Sequence, residues 1–244
     1  MGYPFRDRPP TDPELERLVL ALSTYRDGSG QVMAAKRSQP GWRDFERATA
    51  SALSGVCPEN KGVFDVLMPV ASGKPYGLSL KTSAKRTGFV LMELHNSYAK
   101  AWAWLNSRRL DPKESPLEAG VALIEQVTRW HEEAAEGIDV GASSYLVLTH
   151  DRAWRLFQLS WFALGLDRPE PSDMEWLSTG RRICATWNGH QYWEWYGESG
   201  GQLKYCPRLE DALWVSEAFE LRDPPTEDTP LAKAQRYWPD GFPS

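Results

Sequence analysis

The chain is short of the features that mark the simpler functional classes. Among its 244 residues it has three cysteines, Cys57, Cys184 and Cys206. They lie far apart and form no CxxC or Cys/His cluster, which argues against a disulfide scaffold and a structural zinc module. No apolar run approaches the roughly 20 residues of a membrane-spanning helix. Residues 1–13 are polar, rich in Pro and Arg, and lack an apolar signal core, so the cytoplasm is the expected location. Basic charge is not in excess. The 28 Lys and Arg against 33 Asp and Glu give a formal net charge of −5, so a nucleic-acid partner must be held by local patches. GxGxxG and GxxxxGK[ST] are missing, which leaves nucleotide binding of those types unsupported. HExxH is missing too, and with it the usual sign of a zinc protease. His131, His150 and His190 lack the spacing of a metal set.

What remains is an ordinary globular composition, 41% hydrophobic and 25% charged, long enough for one large domain or two small ones. Helical periodicity appears over residues 13–25, with Thr11 or Asp12 as cap, and over 42–54, where Gly55 is a natural stop. Strand-like runs follow at 63–68, 77–82 and 88–94. Helices are expected at 97–106 and 116–136, then strands at 144–149 and 154–159 around a tight turn. Asn188-Gly189 between two strand-like runs predicts a hairpin. The order predicts an α/β or α+β domain on a mixed sheet. Residues 1–160 read as the core, and 161–244 as a β-rich C-terminal extension or subdomain packed on it.

One stretch carries chemistry: VFDVLMPVASGKPYGLSLKTS, residues 63–83. Strict alternation places Val63, Asp65 and Leu67 on one strand face and Phe64, Val66 and Met68 on the other. In the next run Ser79 and Lys81 share a face opposite Leu78 and Leu80. A carboxylate on an apolar strand is costly unless something binds it. A buried Asp65–Lys81 pair that only holds register is one explanation. The other is a catalytic site, because Glu46 on the preceding helix and Glu93 at the end of the third run can converge on the same end of the sheet. Three carboxylates, a hydroxyl and a lysine suit magnesium-dependent phosphodiester hydrolysis, with Asp65, Glu93 and Glu46 as ligands. Lys81 would orient water or stabilise charge on the phosphate.

The same residues resemble the PD-(D/E)XK nuclease superfamily: FDV, thirteen residues, then SLK, after a helix carrying Glu46. Phe64 stands where the pattern has Pro, and Ser79 where it has an acidic metal ligand. Type II restriction endonucleases cutting CCGG- and CCWGG-type sites carry a similar S-x-K, with the lost carboxylate supplied about a dozen residues downstream, the position of Glu93. The resemblance covers about residues 40–107. It implies a restriction-endonuclease-like mixed β-sheet flanked by helices and a Mg²⁺-dependent, sequence-specific endonuclease of double-stranded DNA. It also implies a homodimer matched to a palindromic site and a cognate DNA methyltransferase. DNA contacts would come from Lys85, Arg86, Arg108 and Arg109, together with Lys100, and from Arg181 and Arg182 in the C-terminal part. A structure-specific or repair nuclease of the same fold is the nearest alternative. A DNA-binding protein whose site has decayed at Ser79 is the other.

Overall fold

A computed structural model describes residues 2–34, 37–58, 62–95, 97–133, 136–166, 169–179, 182–197, 200–223 and 240–241. Arg181, expected to contact DNA, lies outside them. The first helix, α1 (Asp12–Ser23), begins on a capping box: Thr11 Oγ1 accepts the Glu14 amide, and the Glu14 carboxylate accepts the Thr11 amide. This satisfies two amide donors that a helix start leaves open. A short hairpin, β1 (Val32–Ala34) and β2 (Arg37–Gln39), precedes α2 (Trp42–Leu53). The left-handed residue ending α2 is Ser54, at φ 59°, rather than Gly55. Gly55 is needed for space, since a Cβ there would sit 2.7 Å from Val66 and 2.8 Å from Met68.

The main sheet follows: β3 (Val66–Met68) and β4 (Tyr76–Ala84) are antiparallel. The strand expected over 63–68 starts late because residues 63 and 65 are bends. The chain then runs through β5 (Met92–His95), α3 (Tyr98–Ser107) and α4 (Pro116–Glu133) before β6 (Ser144–His150) returns parallel to β4. A parallel return requires a crossover of this kind. β7 (Leu156–Ala163) pairs antiparallel to β6. The rest supplies β8 (Glu175–Ser178), β9 (Ile183–Trp187), β10 (His190–Trp195), β11 (Leu203–Tyr205), β12 (Trp214–Val215) and β13 (Phe219–Glu220). The β9–β10 turn is the expected one, with Asn188 at φ 49° and Gly189 at φ 72°, as a type I′ hairpin demands.

The strands form an α+β fold with two larger sheets. One is six-stranded, ordered β12-β7-β6-β4-β3 with β13 also on β7; the other is five-stranded, ordered β5-β11-β10-β9-β8. Residue 160 falls inside β7, and strands cross over between the two halves of the chain. β5 joins the C-terminal sheet, whereas β12 and β13 join the N-terminal one. One face of the six-stranded sheet buries Val66, Leu78, Leu146 and Leu159 against Leu18, Leu22 and Phe45 of α1 and α2. The other face directs Tyr145 and Val147 toward α4 and the five-stranded sheet, where Trp193, Tyr205 and Ile124 pack. Each such side chain contributes about 1.5–3 kcal/mol by leaving water. No helix among the described residues is long and apolar enough to cross a membrane.

Candidate active site

Asp65 sits just before β3, where the regular ladder stops. Its amide donates to the Leu78 carbonyl at 3.0 Å, and its Oδ2 accepts the Leu80 amide at 2.7 Å. The carboxylate thus replaces the backbone partner that Leu80 loses at the end of β3, which is one reason this strand tolerates it. Among the described residues, Lys81 forms no ion pair with Asp65. The register-holding pair considered from the sequence is therefore not formed.

Phe64 departs from the strand alternation. It does not join Val66 and Met68 under α2; it is 2% exposed on the opposite side, stacked on His131 of α4 at 5.9 Å between ring centroids. Gly77 makes this possible, because a Cβ there would stand 2.2 Å from the Phe64 ring. The bend that seats Phe64 over β4 leaves Asp65 beside Ser79 and Lys81.

These residues open into one cleft of about 610 Å³ between the six-stranded sheet and the helical layer. Gly62, Val63, Asp65, Ser79, Lys81 and Tyr145 line it from the sheet and the bend before β3, Lys100, Val127, Trp130, His131 and Glu133 from α3 and α4, and Leu94 from β5. Ser79 is buried opposite Tyr145 in the parallel ladder. The Tyr145 hydroxyl lies 3.4 Å from His131 Nε2. Burial, followed by the nearby Lys81 charge, lowers the His131 pKa to about 4, so the imidazole is neutral near pH 7. Burial keeps the Tyr145 phenol protonated. Lys100 Nζ stands 5.7 Å from the centre of the Trp130 ring.

The expected site is assembled in part. Asp65, Ser79 and Lys81 meet in the cleft; Glu93 does not. It lies on β5 opposite Lys204 of β11. Its neighbours Met92 and Leu94 pack into the core, so alternation turns Glu93 to the other face of β5. Glu46 stays outside the cleft, on α2 to the flank of Asp65. Both carboxylates, with burial as the larger cause, push the Cys57 thiol pKa up. Among the described residues, no three His, Cys, Asp or Glu side chains form a group able to hold a metal ion, so the three-carboxylate cage is not built. The cleft offers Asp65 beside Lys81, and Glu133, which pairs with Arg129 at 3.1 Å; Asp65 alone among them fits a magnesium ion held mostly by water and by phosphate oxygens of a substrate.

The basic residues expected on DNA are scattered. Lys85 and Arg86 are exposed beyond the end of β4. Arg108 pairs with Glu125 at 3.1 Å and lies over Trp104, and Arg109 follows it in a left-handed turn at φ 58°. Arg182 is engaged by Glu194 at 2.5 Å.

Sequence reasoning missed His131, Tyr145 and Trp130. A histidine in the apolar stripe of α4, four residues after Val127, was the available signal. It reads equally well as core until β4 and β6 are placed beneath it. No family model, curated protein or solved structure matches the chain.

Proposed function

We propose that the chain is a nuclease that hydrolyses DNA phosphodiester bonds in the Asp65–Lys81 cleft. The observation that carries this reading is the meeting of Asp65, in the bend before β3, with Ser79 and Lys81 of β4 in one cleft of a mixed sheet flanked by helices. The resemblance implies that constellation and that setting. Asp65 Oδ2 is committed to β4, leaving Oδ1 to hold an attacking water or a magnesium ion. When bound there, the ion would activate water and neutralise charge building on the phosphate. Lys81, in the lining of the same cleft, would stabilise the same charge, and the Ser79 hydroxyl would hydrogen-bond a phosphate oxygen. The neutral His131–Tyr145 pair adds no competing anion.

Type II restriction cutting of duplex DNA by a homodimer, with a partner methyltransferase, is the fuller form of this reading. The test is incubation of end-labelled DNA, duplex and denatured, with Mg²⁺. Wild-type protein should cut, and Asp65→Ala and Lys81→Ala should lose that activity while keeping their folded spectra. Cutting by either variant at the wild-type rate would refute the site. Discrete fragments from duplex plasmid would support the restriction form. A second reading, a DNA-binding protein without catalysis, is favoured by Ser79 and the absent carboxylate cage. It predicts binding with intact DNA.

A further inference from the structure

The form of the cleft bears on which nucleic acid it takes. The reactive groups do not lie on an open surface. Ser79 and Tyr145, 3% and 1% exposed, form a recessed floor, and α4 and α3 overhang it with Trp130, His131 and Lys100. A space of about 610 Å³ falls in the range of pockets that enclose a small molecule, the size class of a nucleotide. A paired and stacked base cannot enter such a space; a base taken out of its stack can.

The wall chemistry points the same way. Trp130 is half-buried and lines the same cleft as Asp65 and Lys81, with the buried His131 next to it. Aromatic faces hold unstacked bases of any sequence. Lys81 on the floor and Lys100 on the overhang lie on either side of the cleft, suited to a phosphate on each side of one nucleotide.

The outer surface, in contrast, is poorly prepared for a duplex. Duplex binding relies on many phosphate contacts along the backbone, and this chain carries a net charge of −5. Several surface arginines are spent on neighbouring carboxylates: Arg108 on Glu125, Arg129 on Glu133, Arg182 on Glu194 and Arg208 on Glu210, all at 3.1 Å or less. We infer that the cleft binds an unpaired nucleic-acid strand, one nucleotide inserted between Lys81 and the Trp130–Lys100 overhang, in preference to continuous duplex. This rests on the nuclease reading for what happens at Asp65, sets aside its duplex-cutting form, and names the substrate independently of whether cutting follows.

The experiment is fluorescence-anisotropy binding in EDTA, where no magnesium-dependent turnover intrudes. It compares a labelled 12-mer of thymidylate with a hairpin duplex carrying an equal number of phosphates. The single strand is expected to bind at least tenfold more tightly. Trp130→Ala should weaken it about fivefold or more, the low end for loss of one base-stacking contact, while Trp130→Phe retains most of the affinity. Because Trp130 also packs on the core, Lys100→Ala serves as a surface substitution. It should weaken single-strand binding and lower its salt dependence by a little under one counterion. Equal or tighter duplex binding, no binding to either form, or unchanged single-strand affinity in folded Trp130→Ala and Lys100→Ala would overturn the inference. Tight, Trp130-dependent single-strand binding without cleavage would leave the inference standing and remove the nuclease reading.

Discussion

Replacing Gly77 by alanine is expected to damage the fold and the cleft together. A Cβ at this position would stand 2.2–2.6 Å from three ring atoms of Phe64. Phe64 has nowhere to go: it is 2% exposed and stacked on His131, and the next residue is tied to β4 through both its amide and its carboxylate. Backbone preference acts the other way, since alanine in a strand is better than glycine by roughly 0.5–1 kcal/mol. Overpacking a filled core costs about 1–3 kcal/mol, and approaches as short as 2.2 Å put this site at about 2–3, so the net loss should be about 1–2.5 kcal/mol. In a chain of this length each kcal/mol lowers Tm by roughly 2–4 °C, giving an expected fall of about 2–10 °C. Urea unfolding followed by tryptophan fluorescence should show the same loss as a lower midpoint at unchanged slope. Cleavage should fall further than the folded fraction, because moving Phe64 moves Asp65. A Gly77→Ala protein as stable as the wild type would refute the reasoning. Phe64 would then not rest on β4, and the bend presenting Asp65 would need another cause.

The remaining predictions concern charge, pH and packing. Glu93→Ala should cut DNA at close to the wild-type rate, because Glu93 faces away from the cleft on β5. A loss as deep as that of Asp65→Ala would show that β5 turns to deliver it. The stability–pH curve should carry two steps in separate windows. The His131 pKa is lowered from 6.5 to about 4, so the folded chain resists protonating it and stability falls as pH drops from about 6.5 to 4. Glu14, held by Arg8 at 2.6 Å and by the Thr11 cap, is lowered from 4.5 to about 2. Its stabilisation is complete above pH 4.5 and is lost as pH falls through 2. Denaturation midpoints against pH for His131→Gln and Glu14→Gln should each lose one step and keep the other. Gly120→Ala, in the second turn of α4, should destabilise by up to about 2 kcal/mol although helix preference alone would gain up to about 1. The new Cβ would meet the Trp176 ring at 2.0 Å, and that ring is buried and fixed by its Nε1–H to the Pro171 carbonyl. A raised urea midpoint would show that Trp176 can yield.

Local features were legible in the sequence because local chemistry decides them. The helix start at Thr11 or Asp12, the Asn188-Gly189 turn and the helix expected over 116–136 depend on residues within a turn or two of one another. The α+β class, and the placing of Ser79 and Lys81 on one face of β4, follow from the same short-range periodicities. Pairing across the chain decided the rest. The run ending at Glu93 reads as a third strand beside Lys81, but β5 finds its partner more than 100 residues later in β11. That pairing turns Glu93 out of the cleft and removes the relocated carboxylate. The alternation of residues 63–68 fails because Gly77, on the neighbouring strand, leaves room for the Phe64 ring. His131 becomes a cleft residue only when the crossover lays α4 over β4 and β6. Periodicity records which side of an element is apolar. Which other element covers that side, and which polar groups it brings, is settled by the packing of the whole chain.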